Sequence, residues 1–171
     1  NGQREQPNVA RRFRGEGDLK VDAKGRVSIP ANFRRVVEAC DPDFNNGNLA
    51  RFILVYGDER RDYLEAFTIE AMDEVDEKIE RHPRASPKRK AMERLYSQQA
   101  LDMTIDETGR IVLPAKLCEK IGLDGTVFVG ASGDTFQMWK PETYAAHVAA
   151  EADADEDFDP DVDPSLYLDD L

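Results

Sequence analysis

The chain has almost none of the residues on which metal and thiol chemistry depend: two histidines and two cysteines among 171 residues. His82 and His147 have no histidine or cysteine partner at ligand spacing, so the sequence predicts neither a metal site nor a cofactor. Cys40 and Cys118 lie beside apolar residues of helical spacing and at non-equivalent places, which predicts two buried thiols rather than a disulfide. No apolar run approaches the roughly 20 residues of a membrane-spanning helix. The opening residues, NGQREQPNVARRF, are polar and are not read as a secretory signal, so a cytoplasmic protein is expected. No glycine-rich phosphate loop ending in Lys-Ser/Thr occurs, and Ser28, Ser86 and Ser97 have no His–Asp company. No enzyme is predicted. Asp153, Asp155 and Asp157 open like a calcium loop, but Phe158 stands at its glycine position and Pro164 at its bidentate glutamate position.

Positive charge is missing from one region altogether. Residues 141–171 hold eleven Asp or Glu and no Lys or Arg. Nearly all of the net charge of −12 therefore resides in the tail, and residues 1–140 carry 24 acids against 23 bases. Overall acidity does not exclude a nucleic-acid partner, because a phosphate backbone meets local patches. Residues 1–35 hold nine bases against four acids, and a second basic run, RHPRASPKRKAMER, spans 81–94.

The sequence contains a duplication. DAKGRVSIP at Asp22–Pro30 returns as DETGRIVLP at Asp106–Pro114, an offset of 84, and alanine follows each proline. Each copy reads as strand, turn and strand, with Gly25 or Gly109 at the reversal, proline ending the second strand and a helix after it. Further on, Asp62, Leu64 and Phe67 match Asp134, Phe136 and Trp139 at an offset of 72, the difference falling mostly in the longer loop DPDFNNGN. Between the copies, Thr68 and Ser86 are placed to cap two helices that form an αα-hairpin. The expected organisation is an extension at 1–12, a first repeat at 13–67, a helical connector at 68–98, a second repeat at 99–145, and an acidic, disordered tail at 146–171.

In D-x-x-G-R, aspartate at the turn entry accepts backbone N–H bonds and can orient the arginine fork. Taken singly, such a turn is an ordinary surface closure. Two copies in one chain present two similar arginine turns, which suits a repetitive polymer.

The segment FRGEGDLKVDAKGRVSIPANFR, the second DETGRIVLPAKL and the later VFVGASGDTFQMWKPE together resemble the MraZ family over roughly residues 13–145. The resemblance implies an α+β fold of two tandem, pseudo-symmetric swapped-hairpin AbrB-like β-barrel units. It implies a cytoplasmic, nucleoid-associated transcriptional regulator of the division and cell-wall gene cluster. Such proteins form closed homo-oligomeric rings and read short, G-rich direct repeats in double-stranded promoter DNA. By motif position, Arg26 and Arg110 are the expected DNA contacts, with Asp22, Gly25, Asp106 and Gly109 organising the turns. Lys24 stands where the second copy has Thr108, so the first turn is expected to add phosphate attraction. Arg14 and Lys20 are expected backbone contacts. The alternative is an antitoxin-like or assembly protein whose partner is another protein, bound through the tail ending SLYLDDL.

Overall fold

A computed structural model of the protein describes residues 11–170. The expected N-terminal extension, save Arg11 and Arg12, lies outside the described residues. The first repeat runs β1 (Glu16–Lys20), β2 (Arg26–Ser28), α1 (Ala31–Ala39), β3 (Arg51–Val55), β4 (Tyr63–Thr68) and α2 (Ile69–Glu80). After α3 (Pro87–Glu93) and a π turn at Arg94–Gln98, the second repeats the order. Its elements are β5 (Ala100–Thr104), β6 (Arg110–Val112), α4 (Ala115–Ile121), β7 (Thr126–Ser132), β8 (Thr135–Trp139) and α5 (Pro141–Glu151).

Each D-x-x-G-R turn closes locally, but the flanking strands find their ladder partners in the other repeat. β1 pairs with β7, β5 with β3, and β2 with β6, all antiparallel. The local strand-turn-strand reading therefore places the turns but not the pairing. The registers also reveal a local two-fold. Val27 pairs with Ile111 and Glu65 with Gln137, and these are the same pairs that offsets of 84 and 72 make equivalent. Two further bonds obey the relation: Ile29 N donates to Gly109 O at 3.0 Å, and Leu113 N to Gly25 O at 2.8 Å.

No closed barrel forms among the described residues, which corrects the β-barrel expectation. Six strands make one open sheet in the order β1-β7-β8-β4-β3-β5, and the β2–β6 ribbon is separate. The edge strands β1 and β5 do not meet; the ribbon closes the core as a second layer instead. Val27 and Ile111 enter that core together with Phe33 and Val37 of α1, Leu117 and Ile121 of α4, and Phe52, Leu64, Val127 and Met138 of the sheet. Phe13, Phe33 and Phe136 meet at centroid separations of 5.1–5.3 Å. Phe13 thereby anchors the chain ahead of β1.

Thr68 Oγ1 accepts from Ala71 N at 3.0 Å to cap α2, and Ser86 caps α3. Arg89 Nη1 donates to His82 O at 2.8 Å, so part of the basic run ties the inter-helix turn together. The long loop after α1 is organised by Asp41, whose side chain is fully buried. It accepts from Asp43 N, Arg51 N and Arg51 Nη2 at 2.9–3.0 Å. Burial works to raise its pKa; the Arg51 guanidinium and the two backbone N–H groups outweigh it and hold the carboxyl below its ordinary value.

Cys40 is buried, and desolvation with Glu70 nearby pushes its thiol up to about 12. Cys118, expected to be buried, is only partly so: it packs against the edge of the core, its thiol 3.9 Å from the Leu113 carbonyl oxygen. The segment expected to be disordered from residue 146 is also different. Residues 146–151 complete α5. Beyond it, Asp155, Asp159 and Asp163 each accept a backbone N–H two residues on, at 2.9 Å, and Pro164–Tyr167 form a 3₁₀ turn. Aspartate at every fourth position supplies this local order.

Candidate nucleic-acid interface

The two turns share a backbone and differ in how they hold their arginines. In the first, Asp22 Oδ1 accepts from the N–H groups of Lys24 and Arg26, both at 2.9 Å, while Asp22 Oδ2 accepts from Arg26 Nε at 2.6 Å. The Arg26 backbone N–H, then its guanidinium, holds the Asp22 carboxyl below the usual range, so the pair is charged at neutral pH. In the second, Asp106 Oδ1 accepts from Thr108 N at 2.8 Å, Arg110 N at 3.0 Å and Thr108 Oγ1 at 2.6 Å. Arg110 Nε then donates to Thr108 Oγ1 at 3.1 Å rather than to the carboxylate. The Thr108 hydroxyl is the main influence keeping the Asp106 pKa low. Arg26 is thus pinned by an ion pair and Arg110 through a neutral hydroxyl.

Both glycines have positive φ, +83° at Gly25 and +82° at Gly109. A Cβ on Gly25 would sit 2.2 Å from the Leu113 carbonyl oxygen; on Gly109 it would sit 2.8 Å from an Arg34 guanidinium nitrogen. Arg34 itself donates from Nε to Ile29 O at 3.1 Å. The first turn is therefore laid against the backbone at Leu113 and the second against the Arg34 side chain of α1, while the Leu113 N–Gly25 O and Ile29 N–Gly109 O bonds tie each turn to the other repeat.

Lys20, Arg26 and Arg110 line one shallow groove with Asp18, Asp22 and Ser28. The structure thus brings together three of the five expected contacts. Lys24 is exposed on the first turn, outside the groove. Arg14 lies elsewhere, beside a cleft formed with Asn32, Phe33 and Val129, its carbonyl accepting from Asn32 Nδ2 at 2.8 Å. Ser28 and Val112 were not among the expected residues, yet they share the outer face of the ribbon with the arginines. The period-two rule would have found them, since each lies two residues beyond its arginine. Trp139 is buried among Tyr63, Tyr144 and His147, so it is not offered to a base. Among the described residues no cluster of His, Cys, Asp and Glu has the arrangement of a metal site, and no helix is long and apolar enough to cross a membrane.

Comparison with known proteins places the chain in a family. Residues 98–163 match the family model described as "MraZ protein, putative antitoxin-like". A protein of Ruegeria sp. named "Transcriptional regulator MraZ" is 59% identical over 85% of this chain and 87% of its own length. The protein of that name from Ruegeria pomeroyi is 52% identical, covering 94% of this chain and 97% of the relative. A more distant one from Rickettsia bellii is 31% identical over 76% of this chain and 81% of its own.

Proposed function

Because this chain belongs to the MraZ family, whose relatives are named as transcriptional regulators, we propose that it is a sequence-specific DNA-binding regulator that reads promoter DNA with the β2–β6 ribbon. The observation that carries this reading is the register of the ribbon, which sets Arg26 and Arg110 on one outer face, presented by two like turns. A B-DNA major groove, about 12 Å wide, admits a two-stranded ribbon. Arginine there donates two bonds to O6 and N7 of guanine, which agrees with the G-rich repeats that the family resemblance implies. Lys20 in the groove and Lys24 on the exposed first turn are available to phosphates. Strand pairing between repeats supports the swapped-hairpin assignment of the fold.

The wider role follows the same resemblance: a cytoplasmic, nucleoid-associated regulator of the division and cell-wall gene cluster, reading direct repeats as a closed ring. A ring joins several ribbons to successive repeats, so that each later contact forms at high effective concentration. This offsets the small number of bases per chain.

Fluorescence-anisotropy titration with a duplex from upstream of this protein's own gene tests the reading. The expected result is tighter binding than to a scrambled duplex, weakening steeply as salt rises. Equal, weak binding to both duplexes by the wild type and by an Arg26→Ala/Arg110→Ala double variant would return the turns to a structural role.

The acidic tail gives a second expected outcome. Deleting residues 151–171 removes a block of carboxylates that competes with DNA phosphates for the basic face, and affinity is expected to rise roughly several-fold at low salt, the gain fading at high salt. Unchanged affinity at low salt would sink this competition. Leu166 and Leu168, 68% and 81% exposed, favour a second reading in which the tail also holds a protein partner. A partner retained by the full chain without DNA and lost with the tail would establish it.

A further inference from the structure

The outer face of the β2–β6 ribbon carries four side chains, Arg26 and Ser28 from β2 and Arg110 and Val112 from β6. The register sets Val112 opposite Arg26, and Ser28 opposite Arg110. Residues directly opposite in an antiparallel pair share a face, with Cβ atoms about 5 Å apart. The intervening Val27 and Ile111 point into the core at 0% and 1% exposure, while Val112 is 53% exposed. The place equivalent to Val112 in the first repeat is Ser28, so the ribbon folds with a hydroxyl there and does not require an apolar group. A single exposed valine is unremarkable on most surfaces. This one lies within a face otherwise made of two arginines and a serine.

We propose that Val112 is a specificity residue, packing on the C5-methyl group of a thymine next to the guanine that Arg26 contacts. The inference rests on the DNA reading above and names a further base within it. The thymine methyl is the apolar feature of the major-groove edge, and apolar side chains recognise it. Serine at the related position offers a hydroxyl that bonds several base edges and selects weakly among them. The arginines obey the local two-fold of the ribbon, whereas Ser28 and Val112 break it. The face therefore has a direction: its two halves read different base pairs, and one orientation on the duplex is preferred. That property suits a direct element rather than an inverted one.

Deoxyuridine lacks only the methyl group and keeps the pairing, so it isolates the contact. Each thymine of the upstream duplex is replaced in turn, and binding of the wild-type full chain is compared with that of Val112→Ser. Light scattering reports the assembly state of both. For the wild type, replacement at one thymine position in each bound element is expected to weaken binding about three- to fourfold, the worth of one buried methyl. Val112→Ser is expected to bind the thymine duplex weaker by a similar factor, to ignore the substitution, and to keep its assembly state. Wild-type binding that is specific yet indifferent to every replacement overturns the Val112 contact and leaves the arginine reading intact. A penalty that persists undiminished in Val112→Ser overturns it too, as does a changed assembly state with equal losses on all duplexes. Equal binding to promoter and scrambled duplexes by the wild type removes the DNA reading itself, and this inference with it.

Discussion

Replacing Gly25 by alanine is expected to cost about 4 kcal/mol of stability, and the same change at Gly109 about half of that. The two glycines have the same φ, so the conformational penalty, about 1–2 kcal/mol for an L side chain in the left-handed region, is common to both. The difference lies in what the new methyl meets. At Gly25 it is the Leu113 carbonyl oxygen at 2.2 Å, a backbone atom that cannot step aside without opening the ribbon. The Leu113 N to Gly25 O bond is part of the same contact and would stretch with it. At Gly109 the neighbour is the Arg34 guanidinium, the end of a long side chain, which can swing away by giving up its bond to Ile29 O for about 1 kcal/mol. For a chain of this size, 1 kcal/mol moves the melting midpoint by about 2–4 °C. Calorimetry is therefore expected to show a fall of roughly 10 °C for Gly25→Ala and about half that for Gly109→Ala. Equal shifts, or a larger one at Gly109, would mean that the ribbon relaxes freely and does not hold the turns.

That contrast also marks where sequence reading succeeds and stops. The turns were legible because their chemistry is local: aspartate bonds N–H groups two and four residues on, and glycine supplies the reversal. The caps at Thr68 and Ser86 were legible for the same reason. Strand partners were not. Alternation along Leu19-Lys20-Val21-Asp22 says which side chains face inward but not which strand lies alongside, and the partner of β1 lies more than a hundred residues away. Nothing in the repeat distinguishes two strands that pair within a copy from two that pair across copies. The open sheet in place of a barrel follows from that same nonlocal choice. Asp41 reads as one more loop acid; only the fold brings Arg51 and two backbone donors around it. Val112 does not stand out from the repeat, because aligning the copies brings forward what they share, such as Val27 with Ile111. The informative position is the one where they differ in kind, Ser28 against Val112.

Single replacements within the turns are expected to separate base reading from charge. Arg26→Ala is expected to reduce promoter binding about five- to 150-fold, the range of about 1–3 kcal/mol for a two-bond guanine contact, while binding to a scrambled duplex falls far less. Arg110→Ala is expected to act in the same sense but less strongly. Its Nε rests on a neutral hydroxyl at 3.1 Å, whereas Arg26 is fixed by a charged oxygen at 2.6 Å. A fork held in place before binding loses less freedom on binding, so its removal costs more. With Nε occupied, the two terminal nitrogens of Arg26 remain to address a base end-on. Lysine has no such fork, so Arg26→Lys is expected to keep the salt dependence and lose the discrimination. Asp22→Asn goes further, because it moves the two quantities in opposite directions. Asp22 is ionised at neutral pH, its pKa lying below the ordinary value, so the change removes a negative charge from the face proposed to meet phosphates. Affinity for scrambled DNA is expected to rise, and the ratio of promoter to scrambled affinity to fall as Arg26 comes loose. Anisotropy titrations of each variant on both duplexes across a salt series measure the ratio and the slope separately. If Arg26→Ala weakens both duplexes by the same factor and shallows the salt slope, Arg26 contacts phosphate alone. Sequence would then have to be read elsewhere on the ribbon.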